Sequence, residues 1–134
     1  MHYPEMANLG VIRAAYQTFN DGEPGRLLNL FDPQVRLIMP NSGNATAHLW
    51  FGRDGVVRYF ALAARCELFE PSEFLTSGNS VIVRGRLRHY DRATQQVQEQ
   101  QWVHIAALRD GLIAEFQVFE DRAQATFLTS TQVY

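Results

Sequence analysis

The stretch that decides the fold runs from Gln101 to Asp121. It reads Gln101-Trp102-Val103-His104-Ile105-Ala106-Ala107-Leu108, then Arg109-Asp110-Gly111, then Leu112-Ile113-Ala114-Glu115-Phe116-Gln117-Val118-Phe119-Glu120-Asp121. Two runs of strand-forming residues flank an Asp-Gly pair. Asp-Gly readily takes the positive φ angles of tight turns, so the stretch predicts a β-hairpin. Alternate residues of a strand share a face. Trp102, His104 and Ala106 therefore line one side, and Val103, Ile105 and Ala107 the other. On the return strand Phe116, Val118 and Glu120 oppose Glu115, Gln117 and Phe119. Both faces are mixed, which places the hairpin in mid-sheet with one face lining a cavity.

Outward from the hairpin, the pattern upstream to Glu67 is all strand. Leu68 to Leu75 comes first, with Pro71 marking an edge or a bulge. Ser77-Gly78-Asn79 turns it into Val81 to Tyr90, and Asp91 to Thr94 turns that into Val97 to Leu108. The N-terminal half reads differently. Pro4 suits a first helical turn, and Met6, Leu9, Ile12, Tyr16 and Phe19 recur at helical spacing until Asn20-Asp21-Gly22. Pro24 opens a short second helix with Leu27, Leu28, Leu30 and Phe31, closed by Asp32-Pro33. Val35 to Met39 is a short strand ending at Pro40. His48-Leu49-Trp50-Phe51-Gly52 reads as irregular chain folded over the core. Asp54 or a neighbour caps a third helix with an apolar stripe of Val56, Val57, Phe60, Ala63 and Ala64. Ala123 to Tyr134 reads as a last helical turn or a swapped tail. Helices gathered ahead of a run of antiparallel strands indicate an α+β fold, with the helices on one face of a curved sheet.

Composition bounds the function. The chain has 134 residues, enough for one domain with one core, and a net charge of −2 gives no basic bias toward nucleic acid or an anionic membrane. No stretch approaches the apolar length that spans a bilayer, and Met1 to Gly10 does not read as a signal peptide. Cys66 is the single cysteine, which excludes an intrachain disulfide and fits a cytoplasmic protein. His2, His48, His89 and His104 have no metal-ligand spacing, so neither a metal site nor a cofactor is expected. Arg84, Arg86 and Arg88 form a basic row on one strand face, read as a solvated outer face or a dimer rim.

With this order in hand, the chain resembles the nuclear transport factor 2-like superfamily, and most closely its SnoaL-like polyketide cyclase and ketosteroid isomerase branch. The residues that carry the resemblance are Ala14 to Gly22, Leu27 to Val35, Phe51-Gly52-Arg53-Asp54-Gly55-Val56 with Tyr59-Phe60, Trp102-Val103-His104, Arg109 to Ile113, and Phe119-Glu120-Asp121. They span roughly residues 5 to 127 of a single 1–134 domain. The resemblance implies a cone-shaped apolar pocket between sheet and helices, and commonly a homodimer through the sheet. Carried over residue by residue, the isomerase machinery is mostly absent. Met39 stands where those enzymes have a general-base Asp before a proline, and Trp102 stands near the position of their acidic oxyanion donor. Tyr16 matches the family Tyr of the first helix. Glu120 or Asp121 falls near the acid/base Asp of the polyketide cyclases. Asp121 also lies near the Asp-Arg-Asp set of the epoxide hydrolase-like members, without the rest of that set.

The catalytic candidates are therefore His104, Glu120 and Tyr16. His104 has an ordinary pKa near neutrality, and Glu120 would sit among apolar walls that raise a carboxyl pKa. Should the two approach, the carboxylate would favour imidazolium. The Tyr16 hydroxyl can donate to a substrate oxygen. Trp102, Met39, Trp50, Phe51, Tyr59, Phe116 and Val118 are the candidates for the wall around a small apolar molecule. Two functions stay open: a cofactor-independent enzyme that works by proton transfer (isomerisation, cyclisation, dehydration or water addition), and a non-catalytic binding module. A homodimer is expected, because the outer face offers Val103, Ile105 and Phe119.

Overall fold

The computed structural model describes residues 3–39 and 48–119. Its elements are α1 (Tyr3–Asn20), α2 (Pro24–Leu28), β1 (Phe31–Met39), β2 (His48–Phe51), α3 (Arg53–Ala63), β3 (Leu68–Ser77), β4 (Ser80–Asp91), β5 (Gln96–Arg109) and β6 (Leu112–Phe119). The six strands form one sheet in the order β2-β1-β6-β5-β4-β3. The sheet is curved and unclosed, with the helices packed on it, the α+β arrangement expected from the element order. The helices α1 and α3 pack on different halves of the sheet. The first contacts β3 and β4, and the second contacts β1 and β2. Residues that reach inward from both helices therefore converge over the middle strands.

Those middle strands are the hairpin. Asp110 has φ 54° and Gly111 φ 79°, the two consecutive positive angles of a tight hairpin turn. Across the pair, His104 faces Val118, Ala106 faces Phe116 and Val103 faces Phe119. Trp102, His104 and Ala106 are all buried, as are Phe116 and Val118, so the inner face is the one predicted by alternation. The sheet edge at β3 also follows the sequence. Pro71 lies on an edge strand, and the register slips between Pro71 and Glu73.

Several expectations need correction. The sheet is not wholly antiparallel, since β1 pairs with β6 in parallel, and the Ile113 amide donates to the Leu30 carbonyl at the start of that pairing. Phe31 belongs to β1 and is fully buried. The second helix stops at Leu28, so Asp32-Pro33 does not close it. His48 to Phe51 is not irregular: it is strand β2, antiparallel to the end of β1. No side chain caps α3. Gly52 occupies that position, and Arg53 secures the helix start by donating from Nε and Nη2 to the Phe31 carbonyl at 3.1 and 2.8 Å. The buried residues of α3 are Gly55, Val56, Tyr59, Phe60 and Ala63, while Val57 is about half exposed. The inward stripe thus runs 56, 59, 60, 63 and carries Tyr59 where Val57 was expected. On α1, Met6 is exposed, and Ile12, Ala15 and Tyr16 face the core. Asn41 to Asn44, Glu120, Asp121 and Ala123 to Tyr134 lie outside the described residues.

The basic row is fully paired. Arg84 meets Glu73 at 2.9 Å, Arg86 meets Glu70 at 2.7 Å and Arg88 meets Glu99 at 3.0 Å. The row is a cross-strand ion-pair ladder on the outer face, where each exposed pair contributes roughly 0–1 kcal/mol.

Candidate functional site

His104 is the centre of the interior. It sits mid-way along β5, between Val83 of β4 and Val118 of β6, and no part of it reaches solvent. Tyr16, from α1, places its hydroxyl 2.6 Å from His104 Nδ1. Tyr59, from α3, places its hydroxyl 2.7 Å from His104 Nε2. Each helix thus contributes one phenol to one imidazole, and the two reach it from opposite sides. Both tyrosines are buried with it.

Aromatic rings enclose this polar row. Trp102 stacks on His104 with centroids 4.1 Å apart and on Phe69 at 4.7 Å. Tyr16 lies parallel to the imidazole at 5.9 Å, and Phe116 closes on it at 4.7 Å. The indole can lie there because residue 85, its partner on β4, is glycine. A Cβ at Gly85 would fall 2.1 Å from Trp102 Cζ2 and 2.4 Å from the Glu70 carbonyl oxygen. Among the described residues, Trp102 Nε1 is the buried side-chain polar atom that finds no hydrogen-bond partner. An unpaired buried donor costs about 1–3 kcal/mol, so its place in the aromatic interior calls for a reason.

Electrostatics follow from burial. Desolvation disfavours a charged imidazole and pushes the His104 pKa well below its usual value. The same effect pushes the Tyr16 phenol well above its usual value. At neutral pH the row is therefore uncharged, with His104 neutral and Tyr16 protonated. The expected upward push from a carboxylate neighbour concerned Glu120, outside the described residues. Among the described groups burial sets the direction, and it is downward. No three His, Cys, Asp or Glu side chains among the described residues come together as a metal-ligand set.

Of the predicted wall, Trp102, Tyr59, Phe116 and Val118 are brought around His104 or against its partners. Met39 and Trp50 are half-buried against the core. Phe51 is 68% exposed and stands apart from the row. Tyr59 was foreseen only as wall, although the spacing of Val56, Tyr59, Phe60 and Ala63 carried the signal. Phe69, which stacks on the indole, was not singled out at all. Three hollows lined by described residues lie away from His104; the smallest, of about 120 Å³, lies beside Gly85 and Trp102. Another, of about 250 Å³ and almost wholly apolar, lies among Phe19, Leu27, Val56 and Phe60. The largest, of about 900 Å³, lies beside the hairpin turn and Arg36.

A family model described as a SnoaL-like domain matches residues 12–116. The chain belongs to the SnoaL-like domain family. No curated protein matches its sequence. The SnoaL-like chain also superposes on solved structures over nearly its whole length. An NTF2-like protein of unknown function from Burkholderia pseudomallei K96243 is 22% identical with a TM-score of 0.70, covering 91% of this chain and 96% of the other. A SnoaL-like polyketide cyclase candidate from Jannaschia sp. CCS1 is 16% identical with a TM-score of 0.75, covering 99% and 98%. TerC, co-crystallised with polyporic acid, is 21% identical with a TM-score of 0.68, covering 92% and 98%. At these identities the likeness establishes the shared NTF2-like fold, and function is argued from the SnoaL-like chain's own side chains.

Proposed function

We propose that this SnoaL-like chain is a cofactor-independent enzyme that moves a proton on a small, largely apolar substrate held between the sheet and helices α1 and α3. The observation that supports this reading is the Tyr16–His104–Tyr59 row. Three polar side chains from three elements meet inside an aromatic shell, where a hydrogen bond to a developing negative charge is stronger than in water. Isomerisation, cyclisation, dehydration and water addition share that need. The row supplies donors for the substrate oxygen, and Trp102 Nε1 is a further donor without a partner among the described residues. His104 and Glu120 are the candidates for moving the proton. The names of two structural relatives, a polyketide cyclase candidate and a protein seen with polyporic acid, agree with an oxygen-bearing apolar ligand.

The test is deuterium uptake at carbon next to the carbonyl group in a panel of aryl ketones, with polyporic acid as competitor. Wild type should catalyse uptake, polyporic acid should suppress it, and His104→Gln should lower the rate by ~10²–10⁴-fold. Undiminished uptake by His104→Gln would refute the reading. The second reading, a non-catalytic binding module, is supported by Met39 at the usual base position and by the fact that both His104 nitrogens are already engaged within the chain. It predicts polyporic acid binding with no exchange at all. A homodimer through the outer sheet face, on the part-exposed Ile105 and Phe119, completes the proposal; Val103, expected there too, is buried within the chain, and sedimentation at micromolar concentration tests the dimer.

A further inference from the structure

The apolar stripe expected on α3 is divided by the fold. Val56, Phe60 and Ala63 turn inward with Tyr59, whereas Val57 is about half exposed and Ala64 is exposed. Val57, Phe60, Ala61 and Ala64 recur at i, i+3, i+4 and i+7, the spacing of a second apolar face on the same helix. Apart from Phe60, the core makes no use of that face. The face lines the apolar hollow of about 250 Å³. Phe19, from the end of α1, and Pro24, Leu27 and Leu28, of α2, complete the lining. Leu27, Val56 and Phe60 are buried and form its floor, while Gly22, Ala61 and Ala64 are exposed at its mouth. Phe60 is a wall shared with the aromatic interior, since its ring lies 5.2 Å from Tyr59 and 6.1 Å from Phe116. Neither Tyr16, Tyr59 nor His104 lines the hollow.

The polar groups around the hollow are already engaged. The Gly22 and Glu23 amides donate to the Phe19 and Thr18 carbonyls at 3.1 and 3.0 Å, and the Leu27 amide donates to the Glu23 carbonyl at 3.1 Å. Pro24 has no N–H. Glu23 is the one charged side chain in the lining, and its carboxylate accepts from Arg26 at 2.8 Å. A charged ligand would give up water and find its only charged neighbour already paired, whereas a neutral apolar ligand has no such loss.

Size narrows the occupant further. An enclosed apolar cavity of about 150 Å³ takes benzene, and pockets for drug-sized ligands start near about 300 Å³. A hollow of about 250 Å³ suits one ring with a short alkyl chain. A stable protein interface takes about 800 Å² from each partner. Among the described residues, Val57 is the one large apolar side chain standing well into solvent that lines the hollow, far short of such an interface. We propose that the hollow between α2 and α3 is a second binding site, separate from the His104 row, for a small neutral molecule built on one alkyl-substituted ring. It does not depend on the row being catalytic.

The experiment titrates the full chain, with Leu and Val methyl groups labelled, with toluene up to its aqueous solubility. Methyl NMR should show saturable shifts at Leu27, Leu28, Val56 and Val57. Shifts confined to Val83 and Val118, beside His104, or no saturation at all, overturn the proposal. Benzoate and benzylammonium carry the same ring with either charge and should bind at least tenfold more weakly; equal binding overturns the neutral class. Ala61→Phe fills the hollow from an exposed helical position and should weaken toluene binding at least tenfold with the unfolding midpoint kept. Ala64→Met repeats that test from a second exposed position should the first variant fail to fold. Wild-type affinity in a folded variant overturns the site. Two results without toluene also overturn it: Val57 shifts that grow with protein concentration, which put a second copy in the hollow, and cross-relaxation of these methyls with residues 120–134, which puts the chain's own segment there.

Discussion

Acid should destabilise this protein well above the pH at which carboxylates protonate, and His104 is the reason. The imidazole is fully buried between two phenols and under an indole. Its folded-state pKa is pushed well below the usual value by desolvation. In the unfolded chain it titrates at about 6.5. Below that pH the unfolded state binds a proton that the folded state refuses, so stability falls as pH falls. The sign is that of a histidine with a depressed pKa: the stabilisation is present above about pH 6.5 and is lost on the way down to the folded pKa. If the folded imidazole stays neutral to pH 5, linkage gives a loss of about 2 kcal/mol between pH 7.5 and pH 5.0, with a limiting slope of about 1.4 kcal/mol per pH unit. Urea unfolding across that range measures it, and the same series on His104→Gln isolates the contribution, because the other titrating groups are common to both. Wild type should lose about 2 kcal/mol more than the variant. Equal losses, or an imidazole that titrates by NMR at its ordinary pKa in the folded protein, would refute the argument from burial.

Two further outcomes are expected. Gly85→Ala should destabilise by ~1–3 kcal/mol in thermal or urea unfolding, because its Cβ would fall 2.1 Å from Trp102 Cζ2 and 2.4 Å from the Glu70 carbonyl oxygen, and the indole is held by stacking on Phe69 and His104. Unchanged stability would show that the indole does not lie across residue 85. Gly111→Ala should cost about 1–2 kcal/mol while leaving any activity intact, because a φ of 79° is strained for an L-residue and the turn is far from the row. A neutral effect on the unfolding midpoint would argue against that turn geometry.

The hairpin was legible because it is local. Asp110-Gly111 fixes the turn, alternation assigns the faces, and both signals lie within about twenty residues. The same alternation put Trp102 and His104 on one inner face before any partner was known. The parallel pairing of β1 with β6 was not legible, because it joins Arg36 to Glu115 across the whole chain and neither strand's pattern encodes the direction of the other. Strand β2 was missed for a related reason. His48 to Phe51 is too short to alternate visibly, and it is made a strand by pairing with β1. Phe31 was assigned to a helix because apolar runs of that length fit either period. In α3 the helix was legible and its rotation was not. Val57 and Tyr59 compete for the inward stripe, and packing chooses the tyrosine.

The site was half legible for a physical reason. A histidine on an otherwise apolar strand face can be read from the chain, but its partners cannot. Tyr16 is 88 residues away and Tyr59 is 45, on helices whose approach depends on the whole fold. What such a site does for stability also bears on why it is there. A buried hydrogen-bonded row contributes little net stability, and apolar side chains of similar shape would serve about as well without the risk of an unsatisfied group. Here the row comes with one such group, since Trp102 Nε1 is buried with no acceptor among the described residues. Gly85 contributes no packing of its own and leaves the space the indole occupies. Stability alone therefore does not account for a histidine, two tyrosines and an unpaired indole N–H at the centre of the sheet. The proposed ligand, with an acceptor oxygen, would give Trp102 Nε1 the partner it lacks among the described residues.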